Sequence, residues 1–235
     1  MCQTLKIPLP AYGDAARGEY TAEKVITDAM RHLEAHSSPL QIADYILAHG
    51  TRGAVAELDK ILERGKSAFT IGERAGRKAL VRRVPLGVQV VSNGVMERSG
   101  RAGVRLAQAW EELYGLEPNP SEAYRLAILA VEDASVPVVS PKDASATLGK
   151  VLAQMESQGD WKLPLAREHD KAPTEALVIA QMRALWHGQH DRHGGQPSAP
   201  GNVTIDEARV AVALATALVA MFSDGLIARP QGVAG

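Results

Sequence analysis

Apolar positions recur at helical spacing along most of the chain. Over 21–35, Val25, Ile26, Ala29, Met30 and Leu33 share one face, which predicts an amphipathic helix with Thr21 as its cap. A short second helix is predicted over 40–49, set off by Ser37, Ser38 and Pro39. A third is predicted over 51–64, with Val55, Leu58, Ile61 and Leu62 on one face and Gly65 as its stop. The pattern then changes. SAFTI (67–71) and ALVRRV (79–84) flank GERAGRK and predict a two-stranded hairpin over 67–84. Helices follow over 86–98 and 101–114, the second ended by Gly115 and the turn-forming stretch LEPNP.

The C-terminal half is punctuated by helix starts. Asn119 caps, Pro120 suits a first helical position and Glu122 completes a capping box. The helix they open carries Tyr124, Ala127, Ile128, Val131 and Ala134 as a core stripe, and PVVSPKD (137–143) is read as the loop that ends it. Further helices are expected over 145–157 and 174–186, with 159–164 irregular. A Gly-, Pro- and Ser-rich loop (194–203) leads to a second capping box, Thr204 to Glu207, and a last helix ended by Gly225. Its apolar run, 210–222 with Leu214 near its centre, is broken only by Thr216. That is short of the roughly 20 residues a bilayer span needs, so a buried core helix is expected.

Composition sharpens this picture. Of 235 residues 46% are hydrophobic but only 4% aromatic, so the core must be built from Ala, Leu, Val and Ile, as in closely packed helices. The fold class expected is mainly α: a helical bundle with an N-terminal helical region and one β-hairpin. Two domains are expected, 1–98 carrying the hairpin and 99–235 carrying the bundle. A net charge of -1 gives no global basic field to attract nucleic acid. The densest local patch is on the hairpin (Arg74, Arg77, Lys78, Arg82, Arg83) and is read as a solvated face ahead of a nucleic-acid contact. The single cysteine, Cys2, excludes an internal disulfide and suits a reducing cytoplasm. MCQTLKIPLP has no basic stretch followed by a long apolar core, so no signal peptide is expected.

Candidate chemistry concentrates in RALWHGQHDRHGG (183–195), which holds three of the seven histidines. On a continuing helix, Arg183, His187 and His190 share one face while Val178, Met182 and Leu185 point to the core. Asp191, Arg192 and His193 follow, and Gly194 and Gly195 let the backbone turn close to a ligand. Imidazoles beside guanidinium suit metal-independent RNA cleavage. Neutral imidazole takes the ribose 2′-hydroxyl proton, arginine stabilises the charge on the attacked phosphate, and a protonated group assists the leaving 5′ oxygen. A structural reading stands beside it, since His and Arg complement the negative end of a helix dipole. His187, His190, Asp191 and His193 are also competent metal ligands, but their spacing matches no zinc pattern, and neither metal nor cofactor is expected.

AWEELYGLEPNPSEAYRLAILAVEDASVPVVSP, ATLGKVL, LWHGQHDRHGG and EARVAVALATALVAMFSDG resemble bacterial and phage proteins related to the abortive-infection C-terminal (Abi-C) family. ILERGKSAFTIGERAGRKALVRRV resembles the region that precedes that domain, so the likeness covers most of the chain after about residue 55. Abi-C proteins are similar to the HEPN superfamily of compact helical bundles, often dimeric, many of them RNases of phage defence. The resemblance implies an RNA partner, a homodimer and, as site residues, an Arg followed after four to six residues by a His, a spacing that Arg183 and His190 satisfy. The relatives' His-Gly points instead to His193-Gly194, with Arg192 or Arg183 as its partner. Where those relatives carry Arg-Asn shortly before the His, this chain has Leu185-Trp186. Arg183, Arg192, His190 and His193 are therefore the candidate catalytic residues, with His187, Asp191, Gly194 and Gly195 as substrate contacts. The alternative is a non-catalytic module of the same fold, binding a nucleotide, nucleic acid or protein.

Overall fold

The computed structural model describes residues 22–35, 39–74, 76–143, 145–188 and 203–229, and within them nine helices and one hairpin. The chain divides into two compact units, Met1–Arg83 and Val84–Gly235.

The first unit holds α1 (Ala22–Glu34), α2 (Pro39–His49), α3 (Arg52–Arg64), β1 (Phe69–Arg74) and β2 (Arg77–Arg82). Pro39 is already helical, at a position where its missing N–H is not needed. Thr51 caps α3 by accepting from the Ala54 N–H at 3.3 Å. The strands are antiparallel, with Arg74 opposite Arg77, so the hairpin is tighter and its strands reach further than the sequence suggested. Gly76, at a φ of 73°, is the reason, because a positive φ makes a two-residue connection accessible. Asp44 of α2 holds the hairpin. It accepts from the Leu80 N–H at 2.7 Å and from Arg74 Nη2 at 2.6 Å. Leu47, Leu62 and Leu80 form the small core. Two residues of the expected apolar faces, Met30 and Ile61, are exposed instead. Thr21 lies outside the described residues.

The second unit holds α4 (Leu86–Arg98), α5 (Gly100–Tyr114), α6 (Pro120–Val139), α7 (Leu148–Gln158), α8 (Thr174–His187) and α9 (Ile205–Ser223). Helices α6 and α9 lie at its centre. Ala123, Ala127 and Ala130 of α6, and Ala208, Ala211 and Ala215 of α9, are buried, and such small side chains let helix backbones approach closely. Leu106, Leu113, Leu148, Met155, Met182 and Leu218 are fully buried around them. The Thr204–Glu207 capping box forms as expected, each side chain bonding the other's backbone N–H. The expected loop beginning at Pro137 is corrected, because α6 continues to Val139. A proline this near the end costs one hydrogen bond at most, and Gln154 of α7 secures the terminus. Its amide donates to the Val139 carbonyl and accepts from Ser140 Oγ, both at 2.6 Å. Helix α7 starts later than expected, because Asp143 Oδ1 draws the Ser145 N–H (2.9 Å) and hydroxyl (2.8 Å) into a local turn.

No described helix is long and apolar enough to cross a membrane.

Candidate functional site

The C-terminal end of α8 places two of the candidate residues. Val178, Met182 and Leu185 are fully buried, which leaves Arg183 and His187, one turn apart, exposed on the opposite face. The face is set by two helix starts made from a distance. No side chain caps α8 at Pro173; instead Glu168 accepts from both the backbone N–H and the hydroxyl of Thr174. These bonds, with Lys162 nearby, hold the Glu168 carboxyl below the usual carboxylate range. Likewise Thr147 makes no cap bond for α7, and Glu132 of α6 accepts from the Leu148 N–H at 2.7 Å. A carboxylate at a helix N-terminus satisfies a free donor and favours the dipole.

The end of α8 is held by two close approaches. Tyr124 of α6 donates its hydroxyl to the carbonyls of Leu185 (3.1 Å) and Ala184 (3.4 Å), the second of which also accepts from the Gly188 N–H at 3.1 Å, so the last turn is held from outside the helix as well as within it. Burial, then the charge of Glu207, raises the Tyr124 pKa and keeps that donor protonated. A Cβ on Gly188 would sit 2.2 Å from the same hydroxyl, so only glycine fits there. Across the groove, a Cβ on Gly149 would lie 2.7 Å from the Trp186 ring. Thus AYRLAIL (123–129), ATLGKVL (146–152) and LWHG (185–188) meet at one place. Tyr124, Gly149 and Gly188 supply its positioning. Tyr124 had read only as core. Its hydroxyl role has no sequence signal, because its acceptors lie some sixty residues away.

A shallow groove of about 340 Å³ runs between α7 and α8, lined by Gly149, Leu152, Glu156, Arg183, Trp186 and His187. Arg183 is not free in it. Its Nε and Nη2 both reach Glu156 Oε1 at 2.7 Å, and this bonding raises the Arg183 pKa. His190, Asp191, Arg192, His193, Gly194 and Gly195 lie outside the described residues. Among the described residues no group of three or more His, Cys, Asp and Glu side chains is placed to hold a metal ion.

No family model matches the chain, and no curated protein or solved structure is similar to it.

Two other charged groups have structural tasks. Asp133, nearly buried on α6, takes Arg105 Nε at 2.9 Å and also pairs with Arg101, tying α5 to α6. On the hairpin, Arg74 is bound by Asp44, Arg83 Nε donates to the Ser67 carbonyl at 2.9 Å, and Arg82 stands 5.4 Å from the Phe69 ring centre. The apparent basic patch therefore divides, and Arg77 and Lys78 are its exposed remainder.

Proposed function

We propose that the second unit acts on RNA through the C-terminal end of α8, as a metal-independent endoribonuclease of the abortive-infection type. The observation that carries this is the convergence of Tyr124, Gly149, Trp186 and Gly188 on a helix end whose outward face offers Arg183 and His187. An end so closely held suits chemistry that needs a fixed guanidinium. The parts assigned to His190, His193 and Arg192 rest on the sequence. One imidazole takes the 2′-hydroxyl proton and the resulting alkoxide attacks the adjacent phosphate. A protonated group then supplies a proton to the departing 5′ oxygen, leaving a cyclic phosphate and a 5′-hydroxyl. Arg183 exchanges Glu156 for the phosphate. The resemblance adds a homodimer, and the single Cys2 adds a cytoplasmic setting.

One observation favours a second reading, a non-catalytic RNA- or nucleotide-binding module. The Glu156 carboxylate occupies Arg183 and repels an incoming phosphate. A single experiment separates the two: purified protein with labelled RNA, with and without EDTA. For the nuclease, cleavage survives EDTA, and His193→Ala slows it about a hundredfold or more. Glu156→Gln tightens binding of a non-cleavable 2′-deoxy analogue by freeing Arg183, and Arg183→Ala weakens it. Binding without cleavage, still sensitive to Arg183→Ala, selects the module. Neither binding nor cleavage rejects both.

A further inference from the structure

The groove between α7 and α8 sets an aromatic ring beside an ion pair. At about 340 Å³ it lies at the small end of ligand sites, with room for one base and its phosphate rather than a longer stretch. Gly149, Ala153 and Glu156 line it from α7, one turn apart on one face. Arg183, Trp186 and His187 line it from α8. Because Gly149 has no Cβ, the Trp186 ring rests against the α7 backbone; a Cβ there would lie 2.7 Å from Cζ2. The indole is thereby fixed, yet it stays partly exposed in the groove. Such a ring is a platform on which a base can stack.

Glu156 adds the second signal. Both Arg183 contacts go to Oε1, Nε and Nη2 each at 2.7 Å, and Oε2 receives no hydrogen bond among the described residues. When Arg183 turns to a phosphate, both carboxylate oxygens are left to the groove. Of the four RNA bases, guanine alone offers two adjacent donors, N1–H and N2–H, on its pairing edge. Adenine and cytosine set a ring acceptor beside their amino group, and uracil flanks one N–H with two carbonyls. Each of these turns a lone pair toward the carboxylate. Two parallel N–H donors on a carboxylate are charge-assisted and geometrically specific.

We propose that this groove selects guanine: the base stacks on Trp186, its N1–H and N2–H donate to Glu156, and the adjoining phosphate takes Arg183. The inference rests on the reading that the end of α8 binds RNA, but not on cleavage, and holds equally for a non-catalytic module. It also gives Glu156 a task, because the carboxylate that repels an incoming phosphate is offset by a guanine edge and by no other base.

The test is fluorescence anisotropy of the full-length protein with labelled 2′-deoxy hexanucleotides. All are thymine except for one central dG, dI, dA or dC, and an all-thymine strand is the control. The dG strand should bind about tenfold or more tighter than dA, dC or the control, the scale of two charge-assisted hydrogen bonds. The dI strand, whose base keeps N1–H and lacks the 2-amino group, should fall between. Glu156→Gln should tighten every strand by freeing Arg183, and cut the dG preference to about threefold or less, since an amide offers only one acceptor. Trp186→Ala should weaken the dG strand roughly fivefold or more, as for loss of one stacked base. If Trp186→Ala does not fold, Glu156→Gln, at an exposed position, decides alone. Equal affinity for all five strands overturns guanine selection, and if that affinity still falls in Arg183→Ala the RNA reading stands. A dG preference that Glu156→Gln preserves overturns the assignment of the guanine edge to Glu156. No binding of any strand overturns the inference together with the RNA reading.

Discussion

Helices α4 and α9 read alike and behave differently. Valine is the commonest residue of α4 and alanine of α9, and neither helix has an evident polar face. On α9, Ala211, Val212, Ala215, Leu218, Val219 and Phe222 are buried, against α6 on the central side. On α4, Ser92 and Val95 alone are buried, while Leu86, Val88, Val90 and Val91 are exposed. The C-terminal half of α4 is the anchored half. A Cβ on Gly103 would lie 2.0 Å from the Met96 carbonyl oxygen, so α5 touches the α4 backbone there. The N-terminal half, with Val88 and Val91, borders an apolar cleft shared with α5 and α9. An apolar run thus reports that burial is affordable, and the number of neighbours decides whether it happens. Where neighbours are missing on one side, apolar side chains stay exposed.

The sharpest way to break this contrast is one substitution made in each helix. Leu218→Ala removes a fully buried side chain and should cost about 2–5 kcal/mol. Leu86→Ala, at a position 75% exposed, should stay within about 0.5 kcal/mol. All three tryptophans lie in the second unit, so urea unfolding followed by their fluorescence reads that unit directly. Equal losses at the two positions would refute the contrast. Leu214, within the apolar run, is a poorer probe, because it is only partly buried.

Much of the fold was legible because local signals agreed with burial. The helix over 86–98, the capping box at Thr204 and the split faces of α8 need only spacing and short-range hydrogen bonds to be recognised. Pro137 misled because a proline is read as a break, whereas Gln154, from the next helix, secures the turn beyond it. The same limit governs the candidate site. Arg183 and His187 could be found by their spacing. The Glu156 partner, 27 residues earlier, and the Glu132 and Glu168 caps have no signature, since a carboxylate on a surface helix reads the same whether or not it meets a partner. Exposure of α4 was equally hidden, as periodicity names a face but not what lies against it.

A smaller effect sharpens the comparison at the helix starts. Helix α9 begins on a complete capping box and α4 on Pro85, which makes no side-chain cap bond. Thr204→Ala should destabilise the second unit by about 1 kcal/mol. Glu207→Gln, which can still bond the Thr204 N–H, should cost less than Thr204→Ala in the same urea titration. A larger loss from Glu207→Gln would mean that charge at the helix dipole, rather than the reciprocal bonds, supports this end.

The smallest expected effect lies where the two helices are joined. Arg98, at the end of α4, forks onto Asp224, just past α9, with Nε to Oδ1 and Nη2 to Oδ2 both at 3.1 Å. That hydrogen bonding holds the Asp224 carboxyl below the ordinary carboxylate range. The sign follows. A carboxylate favoured in the folded state contributes above its unfolded pKa, and the contribution is lost as pH falls through the lower folded value. Asp160 with Arg229, and Glu168 at the start of α8, shift the same way, so overall stability also falls in acid. A global measurement therefore mixes the pairs, and a local one is needed. Hydrogen exchange, corrected for intrinsic rates, should show the last turns of α4 losing protection in acid before the middle of α9 does. Asp224→Asn should show the weaker protection already at neutral pH and little further change in α4 relative to α9. An α4 profile that Asp224→Asn leaves untouched would mean that the Gly103 contact, rather than the ion pair, anchors this half of the helix.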